Sequence, residues 1–364
     1  MSGGIDSSVA AALLKKRGFQ VEGVFMKLSP VSPENEENQV RQICNFLEIP
    51  FRVLDLRKEF KNKIINSFIE DYKKGLTPNP CVVCNKEIKF GLSLNDVLSK
   101  NDVLMATGHY IRLRRKNLNS KKQIANKLQI QNYKLLRGKD KTKDQSYFLW
   151  TLSQNQLEKT IFPLGKYTKK QVRKMAKKFK IPFLNRPESQ EICFVKESLN
   201  EFLAQKIETK RGNILNPKGE VIGQHQGLHF YTIGQRKGIE LDKNFNSLGD
   251  YKNTKRHPWY VVDKDIENNN LIVSRDNNDL IKKEFIVNNV NFISGKEMVK
   301  NFRARTKIRY GFLHKSNKSK IFPLGQNRFK VIFKKPQRAI TPGQSAVFYR
   351  GRKLLGGGII EKIA

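Results

Sequence analysis

Over its first 110 residues the chain switches repeatedly between two apolar rhythms, and this switching constrains the fold more than any other feature. Val9, Leu13 and Leu14 share one face of a predicted helix at 7–17, and a continuous apolar run follows at 21–26. Val40, Ile43, Cys44 and Leu47 then recur at helical spacing, a second apolar run occupies 51–56, and Phe60, Ile64, Phe68 and Tyr72 recur every fourth residue. Helices alternating with short buried strands predict an α/β fold, an open parallel sheet with helices on both faces. A further short strand is expected at 103–107, running into Gly108 and His109. Residues 112–127 are polar, cationic and aperiodic, the pattern of a surface insertion. Helical spacing returns at 153–159 and at 168–180, where Val172, Met175, Ala176 and Phe179 form one stripe.

The texture changes near residue 197. Gly212, Pro217, Gly219, Gly223, Gly227, Gly234 and Gly238 punctuate short apolar runs, as turns and small hairpins require. Beyond Pro258, strand-like runs at 259–262, 271–274, 285–287, 329–333 and 345–349 predict a small all-β barrel. Three domains are therefore expected, at 1–196, 197–257 and 258–364. No window approaches 18 uninterrupted apolar residues, so no membrane segment is expected. The N-terminus shows no export signal, and four cysteines are too few for a disulfide framework. A cytoplasmic protein is the expectation.

Seventy Lys+Arg against 33 Asp+Glu give a net charge of +37. Compositional drift would scatter such lysines evenly, yet residues 281–364 carry 20 Lys+Arg against 3 Asp+Glu. Within this segment Arg303, Arg305, Lys307 and Arg309 alternate with Ala304, Thr306, Ile308 and Tyr310, so a period of two places all four cations on one strand face. A phosphate backbone satisfies such a row; the alternative is a solvated edge strand whose charges discourage aggregation.

Ser2-Gly3-Gly4-Ile5-Asp6-Ser7-Ser8 opens directly into the first helix. Glycines there let backbone N–H groups approach an anion at the positive helix end, although a capped Gly-Gly turn is also common. The run resembles the pyrophosphate-binding loop of the ATP pyrophosphatase class, which splits ATP to AMP and pyrophosphate while activating a carbonyl oxygen as its adenylate. Such a loop ordinarily follows a strand, whereas Met1 opens straight into this one. The expectation is a sheet short of its first strand, either because the sequence begins late or because the sheet does without it.

Asn79-Pro80-Cys81-Val82-Val83-Cys84-Asn85 carries a second constellation. Half a zinc site and a redox pair are both possible readings, but there is no second CxxC and the five histidines show no ligand spacing, so no tightly bound metal is expected. Were a helix to begin at Asn85, Cys84 would sit at its N-terminus near Lys86 and Lys89, where a thiol pKa falls and a nucleophile forms. Cys193, between Ile192 and Phe194, reads alone as a buried core thiol. Beside an ATP-activating loop and a second thiol it suggests sulfur transfer. Cys44 lies on an apolar helix stripe and is expected in the core, and Trp150, Trp259 and the aromatics at 229–231 are expected to pack rather than to stack on bases.

Taken together, the runs 2–8, 77–90, 106–110, 143–149, 189–195, 231–238 and 342–344 resemble, in order and over essentially the whole chain, the bacterial-type tRNA-specific 2-thiouridylases. The resemblance implies an adenine nucleotide alpha hydrolase-like domain, a small central domain and a C-terminal β-barrel. It makes Cys84 the nucleophile and Cys193 the persulfide carrier. It puts ATP, with magnesium, on Ser2, Gly3, Gly4, Asp6, Ser7, Ser8, Met26 and Gly108, and the target base beside Asn79, Pro80 and Cys81. It gives tRNA contacts to His109, Lys143, Asp144, Gln145, Arg309, Tyr310 and Gln344, and it implies a sulfur-donor protein fed by a cysteine desulfurase. Many relatives carry Asp where this chain has Cys81, so Cys81 is given a pocket-shaping role and no catalytic one. The alternatives are an RNA-binding protein of this fold that has lost catalysis, and another ATP pyrophosphatase acting on a different tRNA base or a small molecule.

Overall fold

The computed structural model describes residues 1–28, 34–98, 103–115, 133–183, 192–196, 198–242, 258–311 and 315–363. The N-terminal part opens with α1 (Ile5–Lys16), β1 (Gly23–Lys27), α2 (Glu34–Phe46) and β2 (Phe51–Asp55), and β1 and β2 pair in parallel, Gly23 opposite Phe51. The predicted helical stripes are the buried ones. Val9, Val40, Ile43 and Cys44 are fully buried and form one core with Val172 and Ala176.

Two long helices follow, each widened by a π-helical segment: α3 (Arg57–Phe60) and α4 (Ser67–Lys73) flank 61–66, and α5 (Pro80–Cys84) and α6 (Ser93–Leu98) flank 85–92. Phe60, Ile64, Phe68 and Tyr72 are all buried. Next come β3 (Met105–Ala106), β4 (Ile111–Arg115), β5 (Tyr133–Arg137), α7 (Gln154–Glu158), β6 (Thr160–Ile161), α8 (Lys169–Lys178) and α9 (Leu199–Ala204), with β3 parallel to β6. Capping boxes start α7, α8 and α9, at Ser153, Thr168 and Ser198.

The expected surface insertion is corrected at its start. Residues 111–115 form β4, antiparallel to β5, and β5 joins the C-terminal sheet through Leu136 opposite Lys353. Ile111 and Leu135 are fully buried there, so the charged run carries an apolar face invisible to simple periodicity. Residues 116–127 lie outside the described residues.

A central four-stranded sheet combines β7 (Gly212–Leu215), β8 (Val221–His225), β9 (Tyr260–Asp265) and β10 (Asn270–Ser274) in the order β8-β7-β10-β9. The runs at 259–262 and 271–274, read from sequence as barrel strands, belong to this sheet, because Leu271 pairs with Ile214 and buries with Ile222 and Val261. The barrel proper is closed by six strands: β11 (Ile281–Phe292), β12 (Phe302–Lys307), β13 (Asn317–Gly325), β14 (Arg328–Arg338), β15 (Ser345–Arg350) and β16 (Lys353–Ile363). Its order is β11-β14-β13-β12-β15-β16, and pairing of β11 with β16 closes it. Phe285, Phe329, Phe333 and Phe348 fill its interior. A separate core in which Val82, Phe90 and Trp150 meet Val347, Tyr349 and Leu354 fastens the barrel to the N-terminal part.

Candidate nucleotide and thiol site

Gly3 has a φ of 71°, a left-handed conformation that favours glycine, and Gly4 caps α1 without a side chain over the first turn. The Ser7 and Ser8 hydroxyls each donate to the Gly4 carbonyl at 3.0 Å, and the Ser2 N–H donates to Ser7 Oγ at 3.3 Å. Ser8 is fully buried and shapes the loop from behind, leaving Ser2, Gly4 and Ser7 on its accessible side. Gly108 backs the loop so closely that a Cβ there would lie 3.0 Å from Asp6 C and from Ser7 N. Met26, on β1, accepts at Sδ from the Ser93 hydroxyl at 3.0 Å.

Asp6, half-buried, is held by partners that sequence reading missed. Lys169 Nζ donates to both its carboxylate oxygens at 2.8 Å, and the Tyr110 hydroxyl donates to Oδ1 at 2.6 Å. Lys169 is itself buried at the first turn of α8, where its backbone N–H donates to Asp140. The only sequence hint was a lysine directly after a helix cap.

The helix carrying Cys84 begins earlier than expected, and this overturns one inference. Asn79 is its N-cap, accepting at its side chain from the Val82 N–H, and Pro80 occupies the first turn. Cys84 therefore lies a turn inside a helix that continues to Leu98, away from the positive end. The expected lowering of its pKa does not occur: burial pushes the Cys84 thiol up, with Lys89 pulling the other way. Cys81 is raised by desolvation too, though its residue is exposed.

Cys193 lies near both of these thiols, close enough for Cys84 and Cys81 to act on it electrostatically. Its neighbours do the packing that the sequence had offered to the cysteine: Phe194 lies edge-on to Phe60 and Phe68, 5.9 and 5.2 Å between ring centroids, and Ile192 packs on the same cluster. Phe194 also borders the cluster that holds Cys84. The fixed neighbours leave Cys193 itself exposed, yet desolvation of the sulfur, then the nearby Cys84 and Cys81, push its thiol up to about 11. All the cysteines are free. Lys89 is the common counter-charge, acting on Cys81, Cys84 and Cys193 and also on His109, which burial first and Lys89 second hold down to about 3. His109 is thus a neutral pocket residue, bonded through Nδ1 to Thr107 Oγ1 at 2.9 Å and packed against Phe90 and Phe162. It follows Gly108, which packs on the 2–8 loop, and it shares the influence of Lys89 with the cysteines, so the loop and the thiols lie near one another. Residues 189–191 of the resemblance lie outside the described residues.

Of the residues expected to touch tRNA, Tyr310 is exposed and tilts over Phe148 at 4.3 Å. Asp144 is turned inward, accepting from the N–H groups of Gly138 and Ser146 and from the Ser146 hydroxyl. Gln145 accepts from the Tyr110 N–H at 2.9 Å, and Lys143 beside them is half-buried. Gln344 donates to the carbonyls of Thr77 at 2.8 Å and Pro78 at 3.4 Å, tying the barrel to the segment that presents Asn79. The predicted row of four cations is broken: β12 ends at Lys307, and Arg309 turns inward to donate to Ala339 O and Thr341 Oγ1. Among the described residues no cluster of three His, Cys, Asp or Glu could hold a metal, and no helix is long and apolar enough to cross a membrane. Cys44 and Trp150 are core, as expected.

The class is a nucleotide-binding HUP domain followed by two β domains. Family profiles described as tRNA methyl transferase HUP domain, tRNA methyl transferase PRC-barrel domain and Aminomethyltransferase beta-barrel domain match residues 1–197, 200–275 and 282–360. A protein of Carboxydothermus hydrogenoformans named tRNA-specific 2-thiouridylase MnmA is 42% identical, over 100% of this chain and 96% of its own length. Proteins of that name from Halothermothrix orenii and Blochmanniella pennsylvanica are each 40% identical over 100% of this chain, covering 98% and 96% of their own lengths. The chain belongs to the tRNA-specific 2-thiouridylase family.

Proposed function

We propose that this protein is an ATP-dependent sulfurtransferase that converts the wobble uridine of tRNA to 2-thiouridine. The observation that supports it best is the proximity of Cys84 and Cys193, with Phe194 packed on the Cys84 cluster and the glycine-rich loop at 2–8 backed by Gly108 next to His109. Uracil C2 is a poor electrophile because its oxygen leaves badly. ATP, bound at the α1 end, adenylates that oxygen, releases pyrophosphate and makes AMP the leaving group. The loop fits a polyphosphate: first-turn amides open at a helix N-terminus, glycines that admit close approach, and the Ser2 and Ser7 hydroxyls. Magnesium would accompany the nucleotide and screen its charge; Asp6, the acid of the loop, is already bonded to Lys169 and Tyr110 and could hold the ion only by giving up one of them.

Sulfur arrives as a persulfide on Cys193, supplied by a donor protein that a cysteine desulfurase charges. Two routes balance. In the first, the terminal sulfur attacks C2 and expels AMP, and the Cys84 thiolate then attacks Cys193 Sγ, cleaving the S–S bond as the thiocarbonyl forms. In the second, Cys84 attacks Cys193 Sγ first and releases hydrosulfide, which displaces AMP at C2. Both end in a Cys84–Cys193 disulfide that a thiol reductant returns to two thiols. Both routes require Cys84 to lose a proton that burial favours keeping, and the charging of Cys193 requires the same of its thiol, so we expect binding of substrate or donor to accompany activation. A cytoplasmic location, where tRNA is found, goes with this reading.

The test is nucleoside mass spectrometry on unmodified tRNA incubated with the protein, ATP, magnesium and a persulfide donor. Wobble 2-thiouridine formed by the wild type and absent with Cys193→Ser and Cys84→Ser supports the reading. Thiolation that persists in both variants, or ATP binding without any thiolation, refutes it.

A further inference from the structure

The cations of β12 that remain on the surface face a second row. Arg303 and Arg305 are exposed, alternating with buried Phe302, Ala304 and Thr306. On the neighbouring strand Lys318 and Lys320 are exposed, alternating with buried Ser319 and Ile321. The antiparallel register sets Arg303 directly opposite Lys320 and Arg305 directly opposite Lys318. Like charges directly opposite on one sheet face destabilise it, and here two such pairs stand side by side. Among the described residues no carboxylate pairs with any of the four. The acid two strands away, Glu284, is taken by Lys330 at 2.8 Å.

Protection of an open edge does not explain the grid. β12 is bonded to β13 on one side and β15 on the other, and β13 to β12 and β14, so neither strand offers an edge. The grid is also continuous with the candidate site. At the end of β12, Lys307 lies 5.8 Å from the Tyr310 ring centroid and donates to Gly311 O. Tyr310 in turn neighbours Phe148 and Tyr147, and Tyr147 interacts with Asn79 at the head of the cysteine helix. Alternate residues along a strand are about 6.6 Å apart, so the cations form a track of regularly spaced positive charge leading outward from the site.

We infer that the outer face of β12 and β13 is a phosphate track, with Arg303, Arg305, Lys318 and Lys320 holding the backbone of the tRNA stem beside the target base. This rests on the tRNA reading above and names the surface that grips the stem. Such contacts carry no sequence information; they fix position and supply salt-sensitive affinity.

The test uses the full chain and unmodified tRNA, with filter binding over about 50 to 300 mM salt. Arg303→Gln with Lys320→Gln, and Arg305→Gln with Lys318→Gln, should each flatten the slope of log K against log salt by about 1.5, the effect of two lost phosphate contacts. Each pair should also weaken binding about tenfold or more at the low-salt end. ATP affinity should be unchanged, and the melting midpoint should hold or rise in the Arg303 and Lys320 pair, where repulsion is removed; in the other pair the loss of the Arg305 donations to Ser316 O and Oγ offsets that gain. Lys282→Gln with Lys283→Gln, on β11, removes the same charge elsewhere and should have the smaller effect. Wild-type slope and affinity in the grid variants would overturn the inference, as would an equal loss in the β11 control. A wild-type protein that binds ATP but no tRNA would instead bring down the tRNA reading itself.

Discussion

Lys169 Nζ lies 2.8 Å from each carboxylate oxygen of Asp6, a contact between residues 163 apart in the chain. It bolts helix α8 to the first turn of α1, and the Tyr110 hydroxyl completes the set from a third segment. Asp6→Asn would remove the anion beside a buried ammonium and should lower stability by about 3 kcal/mol. Adding Lys169→Met should recover part of that loss, with a coupling of about 1 to 3 kcal/mol in a double-mutant cycle. Denaturant melts of the four proteins measure it; strict additivity would show that the pair is incidental.

Gly108 packs directly on the loop that we propose binds ATP. In Gly108→Ala the new methyl would press on Asp6 and Ser7 at 3.0 Å, so the loop must shift. The KM for ATP should rise by about tenfold or more, the result of a misplacement that costs about 1.4 kcal/mol, while tRNA affinity stays within error. Steady-state kinetics and filter binding on one preparation separate the two. An unchanged KM for ATP would place the nucleotide elsewhere.

The thiol pocket predicts a pH dependence. With its thiol near 11, Cys193 in the free protein should alkylate slowly at neutral pH and speed up steadily through pH 9 toward pH 11, without the plateau of an ordinary thiol near pH 9. Because the folded form holds this proton more tightly than the unfolded chain, the associated stability is present below pH 9 and lost as pH rises from 9 to 11. Lys89→Met should raise Cys84 further and slow its labelling, since Lys89 favours the thiolate. Iodoacetamide labelling followed by peptide mass spectrometry reads both sites. Fast labelling of Cys193 at neutral pH would contradict the geometry.

His109 carries the opposite sign. Its pKa of about 3 lies below the ordinary 6.5, so the folded state resists protonation. That contribution is complete above pH 6.5 and declines as pH falls from 6.5 toward 3. His109→Gln should therefore melt with less acid sensitivity than wild type between pH 7 and pH 4, a comparison that urea denaturation provides. Equal acid sensitivity would mean that the imidazole titrates in the fold as it does in the unfolded chain.

Gln344 should act through the segment it holds. Gln344→Ala removes the donations to Thr77 and Pro78, at about 1 kcal/mol of stability, and should lower the kcat of thiolation about tenfold by loosening Asn79. The KM for ATP should not move. A change in ATP binding instead of turnover would show that the contact serves the nucleotide loop.

Local pattern determined a good deal of this protein. The stripe from Phe60 to Tyr72, the pairing of helices with parallel strands, the Gly3-Gly4 turn and the burial of Cys44 all follow from spacing within a few residues, because periodicity and backbone freedom are local properties. The tertiary structure decided the rest. Only packing shows that Lys169 and Tyr110 converge on Asp6, that β4 and β5 leave the N-terminal part to extend the barrel sheet, and that Arg309 turns inward where Lys318 and Lys320 come up beside Arg303 and Arg305. The charge state of Cys84 belongs to the same group. A helix starting four residues before it and a wall of apolar side chains reversed the expectation drawn from the neighbouring lysines, because a pKa responds to desolvation by groups that the sequence places far away.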